Sequence, residues 1–351
     1  MANQCSYVTT IPQFTGTCWF NALLMALLYS DNTRLFFHTN LKKIKTSSKT
    51  RRKLISMFIN ILTRHYHRVH RSTMEVFSAE LKPEHILKRL HNSDAQTFYF
   101  DPNANEGHTA KLYLIQIMKY FKMGDRILYC KSRTVSRNNL YVTLDNFDRH
   151  ILMDNQFNAG YRTVYRNERL YTRAVREIVR GINYDHIDVL YVSLSDRRNR
   201  NIDNIECVQD GLIYTGKLSE SIKLGGHTYV VDSLMLSSMH PDADCNIPGH
   251  SIAGVTCNGQ RYIYNGWIRD TRDNAMKTSK QNRDSPCTLM AFDWFNNKSD
   301  FCLNTRRCNL TTITKQKLPN KLRKVVCFNV RDSGGVYVYV KSRTNVSFTY
   351  C

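Results

Sequence analysis

The first third of the chain carries apolar side chains at helical spacing. Residues 20–29 are apolar with small residues interspersed, and at residues 54–65 and 110–121 apolar residues recur every three or four positions. This period places the apolar side chains on one face of a helix, where they can be buried together. The pattern therefore predicts three helices in the front part of the chain.

From about residue 126 the pattern changes to short runs of β-branched and aromatic residues, which are typical of strands. Seven such runs occur, at residues 126–130, 188–193, 229–236, 251–257, 261–264, 325–330 and 336–340. Asp-Ser-Gly-Gly at 332–335 predicts a hairpin between the last two runs. Helices at the front and strands at the back predict an α+β fold.

Composition narrows the class of protein. The 351 residues include only 15 Gly and 7 Pro, and 42% are hydrophobic, which excludes collagen-like and largely disordered chains. No apolar run reaches the length of a membrane span, and residues 1–10 lack the features of a signal peptide. We therefore expect a soluble globular protein that is not secreted and has no membrane partner.

The chain is strongly basic, with 50 Lys and Arg against 29 Asp and Glu and a net charge of +21. Such an excess favours contact with polyanions, so nucleic acid is a candidate partner. The densest basic run spans residues 42–53, an expected loop or helix start, and its cations are Lys42, Lys43, Lys45, Lys49, Arg51, Arg52 and Lys53. The run is either a solvated face or a polyanion-binding surface, and the sequence leaves both open.

Eleven cysteines are scattered without a CxxC pair. This spacing indicates neither a disulfide framework nor a zinc site, and it predicts reduced thiols in a cytosolic or nuclear setting. The histidines of the run 65–70 have no nearby cysteine or carboxylate that would complete a tetrahedral site. We expect no metal ion and no cofactor.

One cysteine stands at the start of an apolar helix. Gly16 and Thr17 form a turn before Cys18, and Trp19 begins the apolar run. A helix N-terminus favours the thiolate form of a cysteine, and its amide groups can bind the oxyanion of a tetrahedral intermediate. Gln13, a few residues upstream, is the candidate for a second oxyanion donor. Cys18 is therefore a candidate nucleophile, whose alternative role is that of a small buried apolar residue.

A second segment offers a base for that nucleophile. Strand-like residues follow His250, and Asn258-Gly259 predicts a tight turn into a second strand that ends at Asn265. A hairpin of this length places His250 beside Asn265 across the two strands. A catalytic base and its orienting partner need this arrangement. The alternative is that His250 has a structural role and only caps the hairpin.

Both segments resemble the ubiquitin-specific proteases of the papain-like superfamily. Residues 16–24, GTCWFNALL, resemble that family's cysteine box, and residues 249–265 resemble its histidine box, beginning at Gly249-His250. The resemblance implies a papain-like fold in a single catalytic domain, with a helical lobe at 1–125 and a β lobe at 126–351. It implies a Cys18–His250–Asn265 triad, Gln13 as oxyanion donor, and supporting positions at Trp19 and Gly249. Zinc-bearing fingers are not expected, because paired CxxC motifs are missing.

By this resemblance the protein would cleave isopeptide bonds of ubiquitin or a ubiquitin-like protein. The cysteine box also resembles that of ovarian-tumour-type deubiquitinases, although Thr15 stands at that family's Asp position. The basic composition resembles a product of a large DNA virus, so processing of a viral protein in the virion is another alternative. The non-enzymatic alternative is a basic protein on a protease-like fold that binds nucleic acid or has a structural role in the virion. We expect the protein in the cytoplasm or nucleus of a host cell, or in the virion.

Overall fold

The computed structural model of the protein describes a little more than half of the chain. The described residues are 11, 13, 16–64, 82–98, 110–133, 184–193, 204–209, 212–217, 219–238, 250–266, 289–297, 299–304, 310–312, 325–330 and 335–342. The histidine run at 65–70 and Gly249 lie outside them.

Five helices occupy the described residues of the first part of the chain. They are α1 (Cys18–Tyr29), α2 (Asp31–Lys43), α3 (Lys49–Arg64), α4 (Pro83–Ser93) and α5 (Ala110–Tyr120). The three predicted helices are confirmed as α1, α3 and α5. In the part of the chain that is described, no helix has the length and apolar character needed to cross a membrane.

The strands of the described residues begin after the last helix. They are β1 (Ile127–Arg133), β2 (Val189–Ser193), β3 (Asn204–Gln209), β4 (Leu212–Lys217), β5 (Ser221–Leu224), β6 (His227–Ser237), β7 (Ser251–Cys257), β8 (Gln260–Tyr264), β9 (Met290–Ala291), β10 (Phe301–Asn304), β11 (Leu310–Thr312), β12 (Val325–Phe328) and β13 (Val336–Lys341). The seven predicted strands are confirmed as β1, β2, β6, β7, β8, β12 and β13.

Most of these strands form one ten-stranded sheet in the order β4-β3-β1-β2-β13-β6-β7-β8-β9, with β5 paired to β6. Strands β11, β10 and β12 form a separate small sheet. Among the described strands only β1 and β2 pair in parallel. Helices followed by a mostly antiparallel sheet are compatible with the predicted α+β class.

Both faces of the large sheet are buried along β13, and the sequence of this strand shows why. Its sequence alternates Val and Tyr, and successive side chains of a strand point to opposite faces. Val336 and Val338 lie in a core shared with the helices, whereas Tyr337 and Tyr339 lie in a second core shared with β10 and β12. The sheet is therefore a middle layer, with α1 and α2 packed against β6 and β7 on one face.

The predicted hairpin between the last two strands is wrong. Strand β12 pairs with β10 in the small sheet, while β13 pairs with β2 and β6 in the large one. Residues rich in Gly and Ser at a strand end predict a change of direction, but they do not determine which sheet receives the next strand. The two strands are consecutive in sequence and belong to different sheets.

The prediction of reduced thiols is wrong for three of the described cysteines, which are Cys257, Cys302 and Cys327. Cys302 on β10 and Cys327 on β12 stand directly opposite each other and form a disulfide, with their Cα atoms 4.0 Å apart. This pairing depends on strand register, which cysteine spacing along the chain does not reveal. Cys18, by contrast, is a free and buried thiol.

Candidate active site

Cys18 is the first residue of α1 and lies at the junction of the helix with the sheet. All twelve residues of α1 are buried, and the helix packs along β7. The carbonyl oxygen of Thr17 accepts the first helical hydrogen bonds, from the amides of Phe20 and Asn21. The amides of Cys18 and Trp19 interact with the Cys18 sulfur. This is the amide-lined helix start that an oxyanion site needs.

The thiol of Cys18 also contacts the strand that follows His250. The backbone N–H and the hydroxyl of Ser251 lie near enough to the sulfur to lower the pKa of the thiol. Ser251 is the first residue of β7, and His250 immediately precedes it. The nucleophile candidate and the base candidate are thus brought to the same place from positions more than 200 residues apart in sequence.

Burial controls the protonation of both groups. Burial raises the pKa of the Cys18 thiol, and the hydrogen bonds from Ser251 and from the helix amides only partly oppose this effect. Burial also lowers the pKa of the His250 imidazole to about 4, against a smaller opposite effect of its hydrogen bond to Asn265. The expected net lowering of the thiol pKa at the helix start is therefore wrong. A neutral thiol beside a neutral imidazole is the favoured state at neutral pH.

His250 and Asn265 are neighbours, as the hairpin predicted. The distance between His250 Nε2 and Asn265 Oδ1 is 2.8 Å, and both side chains are buried. The turn at Asn258-Gly259 has positive φ angles of 49° and 72°, which define the type I′ turn favoured between twisted strands. The amide oxygen of Asn265 accepts the Nε2 proton, which leaves Nδ1 as the ring nitrogen that can accept a proton.

Two further contacts hold His250 in place. Its backbone N–H donates to Ser238 Oγ at 2.9 Å, and its carbonyl oxygen accepts the amide of Ser238 at 2.6 Å. The imidazole also makes an edge contact with the ring of Phe328, with 6.3 Å between ring centroids. Phe328 ends β12, next to the disulfide, so the small sheet supports the candidate base from the side.

Gln13 is tied to the end of the same hairpin. Its backbone N–H donates to the carbonyl oxygen of Gly266 at 2.7 Å, one residue after Asn265. A Cβ atom on Gly266 would lie 2.6 Å from the Tyr264 hydroxyl and 3.2 Å from Gln13 Cβ, so glycine is needed for this close approach. The predicted oxyanion donor therefore lies next to the third triad candidate.

Asn21 and Tyr264 complete this contact, and the sequence analysis did not assign them a role. Both are fully buried. Asn21 Nδ2 donates to the Tyr264 hydroxyl at 3.3 Å, and the hydroxyl in turn donates to the carbonyl oxygen of Ile11. One turn of α1 thereby holds the segment that carries Gln13. The sequence feature that could have indicated this contact is Asn21, a polar residue inside the otherwise apolar sequence of α1.

The far end of α1 is also fixed to β7. Ser30 Oγ accepts the amide of Thr256 at 2.9 Å and donates to the carbonyl oxygen of Asp232 on β6 at 2.5 Å. The twelve residues of α1 span about 18 Å at a rise of about 1.5 Å per residue. The five steps from Ser251 to Thr256 span about 17 Å at about 3.3 Å per residue. Helix and strand therefore run side by side in the same direction, with matched lengths between their contacts.

The carboxylate of Asp232 anchors the start of α2 to the sheet. It is fully buried and accepts four hydrogen bonds. Asn32 donates its backbone N–H and its side-chain amide, both at 3.0 Å, and Thr33 donates its N–H at 2.8 Å and its hydroxyl at 2.7 Å. An acidic group at a helix N-terminus satisfies amides that lack helical partners. Asp232 thus fixes the junction that follows the nucleophile helix.

The remaining predicted residues have other positions. Trp19 is buried and packs edge-on against Tyr113 of α5, at 5.0 Å between ring centroids, so its contacts are those of a core residue. Within the described residues, no cluster of three or more His, Cys, Asp or Glu side chains could hold a metal ion.

No protein-family model matches this chain, and a comparison with curated proteins finds no significant match.

Proposed function

We propose that the protein is a cysteine hydrolase of the papain-like type, similar to the ubiquitin-specific proteases, with Cys18 as nucleophile, His250 as base and Asn265 as orienting residue. One observation carries this proposal: Cys18 lies beside Ser251, which lowers the pKa of its thiol, and the adjacent His250 is hydrogen-bonded to Asn265 at 2.8 Å. A helix that begins at the nucleophile and packs on an antiparallel sheet that bears the base also supports a papain-like arrangement.

The proposed reaction starts from the neutral pair. Nδ1 of His250 accepts the thiol proton as the Cys18 sulfur attacks the substrate carbonyl carbon, and the developing oxyanion is bound by the helix-start amide of Cys18 and the side chain of Gln13. The amine leaves with the proton from His250, which gives a thioester. His250 then removes a proton from water, which attacks the thioester and releases the acid and the free thiol.

The proposed substrate is an isopeptide or peptide bond at the C-terminus of ubiquitin or a ubiquitin-like protein. This part rests on the two sequence boxes, because the contacts at Cys18 and His250 define the chemistry and not the acyl group. The exposed fractions of Cys18 and His250 are 8% and 4%. Both side chains are therefore largely covered by the surrounding protein.

We expect a ubiquitin probe with an electrophilic C-terminus to form a covalent adduct at Cys18, detected by intact mass and by peptide mapping. A Cys18→Ala variant gives the matched control. Iodoacetamide is used in parallel as a label that needs no acyl recognition. Modification of Cys18 by iodoacetamide without any ubiquitin adduct would contradict ubiquitin as the substrate. If neither reagent modified Cys18, the proposal that the protein is a cysteine hydrolase would be contradicted.

We expect Asn265→Ala to reduce kcat/KM by about 10²-fold or more, because the imidazole loses the acceptor that fixes its tautomer. Asn265→Asp keeps an acceptor and should retain activity within about tenfold. The new carboxylate would also raise the pKa of His250, so the acidic limb of the pH–rate profile should move to higher pH. Equal activity and unchanged pH profiles in the wild type and both variants would exclude Asn265 from the triad.

A further inference from the structure

A cavity outside the proposed active site has a cationic rim and an apolar floor. Its volume is about 240 Å³, and it lies between the end of α2 and the end of α5. The cations that line it are Lys43, Lys45, Lys122 and Arg126, and the other lining residues are Asn40, Ile44, Phe121 and Met123. Lys122 and Arg126 belong to a different part of the chain from the basic run 42–53. The fold therefore collects cations that the sequence places far apart.

The positive charge of this region is only partly offset. The lysines of the rim are exposed, and no Asp or Glu occurs between Asp31 and Glu75 in the sequence, whereas Asp125 stands next to Arg126 in the other part of the rim. Arg126 is paired with Asp188, so its charge is partly offset. One water molecule needs about 10–15 Å³ of cavity volume, so the cavity is large enough for a phosphate group.

The predicted basic run continues the rim along α3. Lys42, Lys49, Arg52 and Lys53 are exposed, and Arg52 is joined to the loop by a hydrogen bond from Nη2 to the carbonyl oxygen of Thr46 at 3.2 Å. Arg51 differs, because its guanidinium lies 4.5 Å from the centroid of the Tyr120 ring and its charge helps to lower the pKa of Asp94. Six of the seven predicted cations thus remain available to a ligand.

We propose that this cavity and the adjoining start of α3 bind the phosphate backbone of a nucleic acid. The cavity receives one phosphate between cations from two parts of the chain. The exposed cations beyond it are more than one phosphate can use, which favours a strand with successive phosphates over a small phosphorylated molecule. The binding does not involve Cys18 or His250, so it is independent of the proposed hydrolase.

The test is a salt titration of binding to a labelled 20-base-pair DNA duplex. The cavity variant carries Lys43→Gln, Lys45→Gln and Lys122→Gln. The matched control carries Lys88→Gln, Arg89→Gln and Lys223→Gln, which removes three exposed cations from α4 and β5. Both variants have the same net charge, so they separate a local site from the general attraction of a basic protein.

We expect the cavity variant to lose at least tenfold in affinity at low salt. Its log–log salt slope should flatten by about one, because the cavity receives one phosphate and each phosphate contact contributes about 0.9. The control should change the affinity less than threefold. Equal losses in both variants, or none in the cavity variant, would overturn the proposal. Binding of inorganic tripolyphosphate or of anionic lipid vesicles to the cavity would also overturn the proposal if the affinity for the duplex did not depend on the cavity residues.

Discussion

Replacement of Cys18 by Ala is expected to reduce hydrolysis of a fluorogenic ubiquitin C-terminal substrate by roughly four to six powers of ten. The variant loses the only atom that can form the thioester, while the helix, its amides and the contacts of Ser30 with β6 and β7 remain. His250→Gln should show a loss of similar size, because the glutamine amide can hydrogen-bond to Asn265 but cannot accept the thiol proton. Both variants should keep the thermal midpoint of unfolding close to that of the wild type.

The matched control is His85→Ala, which removes an exposed histidine from α4. It should leave kcat and KM unchanged. Turnover by the Cys18→Ala variant within about a hundredfold of the wild type would exclude Cys18 as nucleophile, because only residual catalysis is expected without a triad member. Loss of activity in the His250→Gln variant that is accompanied by a large fall in the thermal midpoint would point to a structural role for His250 and would not support its role as base.

Asp232→Asn is expected to lower the free energy of unfolding by at least about 3 kcal/mol, because hydrogen bonds to a charged group contribute about 1.5–3 kcal/mol each and are not fully additive. The asparagine side chain can replace one carboxylate oxygen, but its amide then faces the donors of Asn32 or Thr33. At about 2 °C per kcal/mol for a large chain, the thermal midpoint should fall by about 6 °C. Differential scanning fluorimetry and urea unfolding measure these two quantities.

The control for this change is Asp185→Asn. The side chain of Asp185 is 80% exposed and pairs with His227, and exposed pairs of this kind contribute little. Its substitution should lower the midpoint by less than about 1 °C, as expected for surface changes within about 0.5 kcal/mol. If Asp232→Asn were equally mild, the four hydrogen bonds would not be what fixes the junction of α1 and α2 to the sheet.

The sequence was most informative where the relevant contacts are local. The His250–Asn265 contact was predictable because a two-residue turn fixes the register of a hairpin, and register determines which residues are opposite. The docking of Cys18 on Ser251 was not predictable in this way. It depends on how a helix packs on a sheet formed more than 200 residues later, and only the resemblance of the two boxes indicated it.

Two helices were missed, for different physical reasons. In α2, polar and charged side chains interrupt the apolar spacing, and the helix is fixed at its start by Asp232, which is about 200 residues away. In α4, Pro83 stands at the first position, and Ile86, Leu87 and Leu90 follow at helical spacing, so local residues indicate this helix. Helix α2 depends on a contact with a residue far away in the sequence, whereas α4 could have been predicted from its own residues.

The protonation state of the site also lay beyond the sequence. The position of Cys18 at a helix start was visible, and it does lower the thiol pKa in part. The opposing effect of burial is larger, and burial follows from the packing of α1 against β7 and not from the residues around Cys18. A local motif can therefore indicate the direction of one contribution without indicating the net result.

The side-by-side arrangement of α1 and β7 has a consequence for how the gene can change over time. One inserted residue in α1 would shift its remaining part by about 1.5 Å and rotate it by about 100°, and one in β7 would reverse the faces of its side chains. Either event would separate Cys18 from Ser251 or Ser30 from Thr256. Lengthening a loop outside this pair lowers the stability by only about 0.6 kcal/mol for each doubling of the loop length. Descendants of this gene should therefore differ most in total length and least in the lengths of these two segments.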